Sequence, residues 1–128
     1  MSEIREDNAR DPEQLRRMRE AKEKGLCYFC ELRPKAFDPG IVHFGKHWFS
    51  RKNDFPYEGS VHHYLVISRG HITKLEEIEN NSTHELFNVF RYLETALGAP
   101  GGSIFLRFGD MAYTGATLDH LHFHFLVG

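Results

Sequence analysis

Leu118-Asp119-His120-Leu121-His122-Phe123-His124-Phe125-Leu126-Val127 alternates imidazole and apolar side chains through its middle. A β-strand sends successive side chains to opposite faces. The stretch therefore predicts a strand with His120, His122 and His124 on one face, spaced about 6.6 Å apart, and Leu121, Phe123 and Phe125 on the other, packed on a helix. Buried imidazoles need hydrogen-bond partners, and exposed strand faces favour Thr, Lys and Glu. Both facts favour a chemical role for the histidines over a merely polar, solvated face.

Upstream segments supply the rest of a sheet. Ile41-Val42-His43-Phe44 and His47-Trp48-Phe49-Ser50 read as short strands joined at Gly45-Lys46. His62 to Ser68 is a strong strand ended by Arg69-Gly70, and Ser103 to Phe108 is another. Ser82-Thr83-His84-Glu85 has the form of a capping box. The helix it opens carries Leu86, Val89, Phe90, Leu93 and Ala96-Leu97 on one face and stops at Gly98. Asp11-Pro12-Glu13-Gln14 predicts an earlier helix to about Lys24, stopped by Gly25, with its many charges on a solvated face. The order strands, helix, strands predicts an α+β fold with an antiparallel sheet and packed helices. Residues 1–24 form a tail and charged helix, and 25–128 a single domain.

The composition excludes several functions. The chain has 128 residues, 27% of them charged, and a net charge of -2. That balance offers no general attraction to a long nucleic acid, though a small anion remains a possible ligand. No apolar run reaches the ~18 residues of a membrane span. The polar start, Met1-Ser2-Glu3-Ile4-Arg5-Glu6-Asp7, lacks the apolar stretch of a secretion signal, so a cytoplasmic location is expected.

Imidazole suits phosphorus chemistry. Its pKa near 6.5 leaves a neutral fraction whose nitrogen attacks without a separate base. One ring can attack while its neighbours set its tautomer and bind phosphate oxygens. A metal held by all three rings is the rival, but ligands on one strand make a poor tripod. In Thr114-Gly115-Ala116-Thr117, Gly115 permits close backbone approach and Thr117 offers a hydroxyl to a phosphate oxygen.

Gly115 to Leu126, with its His-φ-His-φ-His-φ-φ core (φ apolar), closely resembles the histidine triad signature. His63-Tyr64-Leu65-Val66-Ile67-Ser68-Arg69-Gly70-His71 resembles that family's second block. The resemblance covers roughly residues 26–128. It implies a five-stranded antiparallel sheet, a homodimer, and hydrolysis or transfer of purine nucleotides through phosphoramidate or phosphoanhydride bonds, with no catalytic metal. By position, His122 matches the nucleophile that forms a nucleotidyl-histidine intermediate. His124 matches the histidine beside the leaving group, His63 the fourth active-site histidine, and Thr117 the phosphate-binding hydroxyl. Gly115 and Ala116 belong to the same phosphate turn, and Asn53 resembles a ribose-binding Asn. Ala116 and Gly109 stand where polar phosphate contacts are common, with Arg107 and Asp110 as nearby charged replacements. A low-turnover nucleotide-binding module and a nucleotidyltransferase with a non-water acceptor are the alternative functions.

The two cysteines lie in Cys27-Tyr28-Phe29-Cys30. This spacing gives two thiolates to a tetrahedral zinc, which needs two further ligands. A redox pair, which lacks a βαβ context, and two reduced core thiols are the other readings. Family branches with such a pair hold a structural zinc through it, the last histidine of the second block and the first triad histidine. Here these are Cys27, Cys30, His71 and His120. His120 would then position the strand without joining proton transfer. Phe55 and Tyr57 are candidates to stack on a purine, while Trp48 and Phe49 read as core.

Overall fold

Ile41–Phe44 (β1), Trp48–Lys52 (β2), His62–Ser68 (β3), Ser103–Leu106 (β4) and His122–Val127 (β5) form one sheet in the order β1-β2-β3-β5-β4. Every neighbouring pair is antiparallel. Two helices accompany it, α1 (Pro12–Glu23) and α2 (Thr83–Ala96), with short 3-10 turns at Leu75–Glu77 and Asn80–Ser82. The computed structural model describes residues 12–23, 27, 29, 41–109, 112 and 120–128. The helix-end candidates Asp11, Lys24 and Gly25, and Leu118 and Asp119, lie outside the described residues.

The register sorts the strand residues into two faces. Arg51 pairs with Leu65, Leu65 with His124, and His124 with Phe105, so these side chains share one row on one face. Phe49, Ile67 and His122 make the next row on that face. The opposite face carries Val66, Phe123, Phe125 and Val127. Leu86, Val89, Phe90 and Leu93 of α2 bury against it together with Trp48 and Leu121. The three-and-four spacing of these α2 residues gives the helix one apolar stripe, and each fully buried large side chain contributes about 1.5–3 kcal/mol. The core thus lies between α2 and one face of the sheet, and the histidines occupy the other face.

Glycine closes α2. Gly98 has φ +58°, its N–H donates to the carbonyl of Thr95, and the Ala99 N–H donates to that of Glu94. This paired C-terminal cap needs a left-handed residue at position 98.

Several details differ from the sequence expectations. β2 begins at Trp48 rather than His47, and β4 ends at Leu106 rather than Phe108. β5 begins at His122, so His120 precedes the strand. The expected Ser82–Glu85 capping box does not form, because the Ser82 hydroxyl donates to the Glu79 carbonyl. Glu85 instead reaches the β1–β2 turn, where its carboxylate accepts from the backbone N–H groups of Lys46, His47 and Trp48 at 2.7–3.1 Å. A tight turn strands these donors, and an anionic acceptor satisfies them better than a cap would. Glu85→Ala is expected to destabilise the fold by about 2–3 kcal/mol. Urea unfolding checks this, and an unchanged midpoint would contradict it.

The charges of α1 are also not all solvated. Arg17 bonds Asp54 at 3.0 Å and lies 5.2 Å from the Phe55 ring centre, which docks the helix on the 53–60 loop. Among the described residues no helix is long and apolar enough to cross a membrane.

Candidate active site

His122 has a single defined neutral form. Its Nδ1 lies 2.7 Å from the carbonyl oxygen of His120. A carbonyl oxygen only accepts, so Nδ1 carries the proton and the lone pair sits on Nε2. The residue is 8% exposed, with the Phe29 ring edge-on at 4.7 Å. Burial pushes the ring down to about 4; the charges of His120, Arg107 and His63 act the same way, and the bond to the His120 backbone opposes them. At neutral pH the ring is therefore uncharged, the state a nucleophile needs.

His63 and His124 take the complementary arrangement. The Tyr57 backbone N–H donates to His63 Nδ1 at 3.0 Å, so that nitrogen is the acceptor and His63 Nε2 bears the proton. His63 Nε2–H then donates to His124 Nδ1 at 2.8 Å. In the neutral ring this leaves the His124 proton on Nε2. His122 and His124 rings lie 5.0 Å apart. One thus offers a lone pair and the other a proton, set by which backbone group each chain of bonds begins from.

Tyr57 wedges into this group. Its ring lies 4.4 Å from His63 and stacks on His124 at 5.7 Å. Phe105 stacks on His124 from β4 at 4.4 Å with 6° between planes. Asn53, 8% exposed, accepts from the Phe55 N–H at 2.9 Å and lays its amide nitrogen against the His63 ring. Both residues come from the loop after β2. The Asn53 N–H bonds the His63 carbonyl, and this pins the start of the loop beside β3.

A second cluster lies at the entry to β5. His120 Nε2–H donates to the Ser68 carbonyl at 2.7 Å, which turns the Nδ1 lone pair to Cys27 Sγ at 3.4 Å. The His71 ring lies 5.0 Å from that of His120. The ligand atoms of Cys27, His71 and His120 all lie within 4.8 Å of one another. Phe29 bridges the clusters, 5.8 Å from His120 and 4.7 Å from His122.

The structure therefore brings His63, His122, His124 and Asn53 to one site and Cys27, His71 and His120 to another. Cys30, Gly115, Ala116 and Thr117 lie outside the described residues. His62 faces away on the Tyr64 side of β3, and His84 is exposed. Phe55 meets Arg17 and Tyr57 meets the histidines. Phe29 escaped the sequence reading. Its signal was a large apolar residue between two candidate metal ligands, which fixes it wherever they are held.

A five-stranded antiparallel sheet, one face sealed by a helix and the other bearing strand-borne histidines, defines a recognisable class. Residues 41–128 match the HIT domain model, and the chain belongs to that histidine triad family. No curated protein sequence matches it. Solved structures share the fold at low identity. A HIT family hydrolase from Clostridium thermocellum is 23% identical, with TM-score 0.61 over 80% of this chain and 90% of that one. A histidine triad nucleotide-binding protein from Candida albicans is 22% identical, with TM-score 0.63 over 77% and 72%. A zinc-bound histidine triad family protein from Mycobacterium smegmatis is 20% identical, with TM-score 0.60 over 79% and 73%.

Proposed function

We propose that the chain is a nucleotide hydrolase that attacks an α-phosphate through His122. The observation that carries this reading is the pair of opposed tautomers, a lone pair on His122 Nε2 and a proton on His124 Nε2. In the first step the Nε2–P bond forms and the bond to the leaving group breaks, with its electron pair departing on the leaving atom. His124 Nε2–H hydrogen-bonds that atom and stabilises the charge growing on it, and a departing amine takes its proton from water. In the second step water attacks phosphorus and releases a proton to solvent, and the P–N bond breaks back to Nε2. Thr117, Gly115 and Ala116 would contact the phosphate, and Asn53 the ribose. A purine nucleotide is the proposed substrate, in phosphoramidate or phosphoanhydride linkage.

The Cys27, His71 and His120 donors suit zinc, one thiolate with two imidazoles, and Cys30 would complete four. His120 already has the orientation of a metal-bound imidazole, since its other nitrogen donates to a backbone carbonyl. Bound zinc would act as a structural cross-link between residue 27 and the start of β5, and it would keep Phe29 over His122. This contact supports a domain that begins near residue 25, ahead of the family match. β4 is an edge strand with Ile104 exposed, which supports a homodimer formed along that edge. A cytoplasmic location is proposed with it.

His124→Ala tests the division of labour. Hydrolysis of an alkyl phosphoramidate should fall about 10²–10³-fold, whereas a nitrophenyl ester, whose leaving group stabilises its own charge, should fall far less. Equal losses on both substrates would refute the donor role.

A further inference from the structure

Arg107 is the only charged residue in the Ser103–Phe108 segment and is half-buried. Phe105 pairs with His124 and Leu106 with Phe123, and Arg107 follows directly where β4 ends. Its guanidinium is held at two points. One N–H donates to the Tyr57 hydroxyl at 3.0 Å, and the group lies 5.0 Å over the Phe105 ring. Phe105 and Tyr57 both stack on His124. The cation therefore stands at the His124 end of the site, where the leaving group departs.

Among the described residues no carboxylate compensates its charge. Arg16, Arg17 and Arg51 each meet a carboxylate, whereas among the described residues none meets Arg107. A guanidinium has five N–H donors, and the Tyr57 hydroxyl uses one of them. A partly desolvated cation, fixed in place and with no counter-ion among the described residues, is a ready partner for an anionic ligand.

We infer that Arg107 is a subsite for phosphate groups beyond the α-phosphate and selects nucleotides whose leaving group is itself a phosphate. This rests on the reading that His122 attacks the α-phosphorus. When a phosphoanhydride is cleaved, the P–O electron pair stays on the bridging oxygen as the Nε2–P bond forms. A fixed cation beside that oxygen stabilises the charge as it grows. A departing amine takes a proton from water and leaves neutral, so Arg107 does little for it. The subsite also offers the polar contact to the polyphosphate that Ala116 and Gly109 do not.

The test compares wild type, Arg107→Gln and Arg107→Lys in equilibrium binding of AMP and ADP, and in turnover of diadenosine triphosphate and adenosine phosphoramidate. Wild type should bind ADP about tenfold more tightly than AMP. Arg107→Gln should erase that preference with AMP affinity within about threefold, and Arg107→Lys should restore part of it. The same Gln variant should lose about 10²-fold in kcat/KM on diadenosine triphosphate and under about threefold on the phosphoramidate. A wild type that binds the two nucleotides equally, a Gln variant that keeps the ADP preference, or equal losses on all substrates would overturn the inference. An Arg107-dependent ADP preference in a chain that hydrolyses neither substrate would instead sink the hydrolase reading and leave the subsite standing.

Discussion

His122→Ala is expected to lower hydrolysis of adenosine phosphoramidate and diadenosine polyphosphates by about 10⁴-fold or more, with the fold retained. The expectation follows from the ring's bonding. Nδ1–H is committed to the His120 carbonyl, so Nε2 is the nitrogen able to form a bond to phosphorus. His124 cannot stand in for it, because its Nδ1 accepts from His63 and its Nε2 carries the proton, so neither nitrogen has a free lone pair. The ring lies outside the α2-packed core, and its removal loses the bond to the His120 carbonyl and the ring contacts with Phe29 and His124. Stability should change by no more than about 2 kcal/mol. Steady-state kinetics and a melting curve on the same preparation check both halves. Substantial turnover in a folded His122→Ala chain would remove the nucleophile assignment.

Removal of the proposed zinc is expected to have the second large effect, on stability. A site occupied at about 1,000 times its dissociation constant adds about 4 kcal/mol to the folded state. For a domain of this size, that corresponds to a fall in Tm of about 10–20 °C on chelation. Cys27→Ser should reproduce the fall and make the protein insensitive to chelator. Turnover should drop with it, since Phe29 and the His120 carbonyl both reach His122 from the cluster. Elemental analysis of the purified chain should show one zinc. A melting temperature indifferent to chelator, with no metal present, would contradict the site.

Much of this arrangement was legible in the sequence because it rests on local periodicity. The alternation of His122, Phe123, His124 and Phe125 put the imidazoles and the core on opposite sides of one strand, and the register bears this out. The stripe from Leu86 to Leu93 located the covering helix. What escaped was decided by contacts between distant segments. Glu85 follows Ser82 at capping-box spacing, yet its carboxylate is drawn to three turn amides 37–39 residues away. Nothing local distinguishes those fates. Arg17 has the look of a solvated helix charge until Asp54 and Phe55 arrive beneath it. The tautomers were equally hidden, for they depend on which backbone groups meet His63 and His122.

The most direct measurement is a single-turnover reaction with a nucleotide labelled at the α-phosphorus. It is quenched in alkaline denaturant, which preserves the P–N bond, and followed by peptide mapping. The account predicts transient label, up to one nucleotidyl group per chain, on the imidazole of His122. Label on another residue, or full turnover with no protein-bound label at any time, would contradict it.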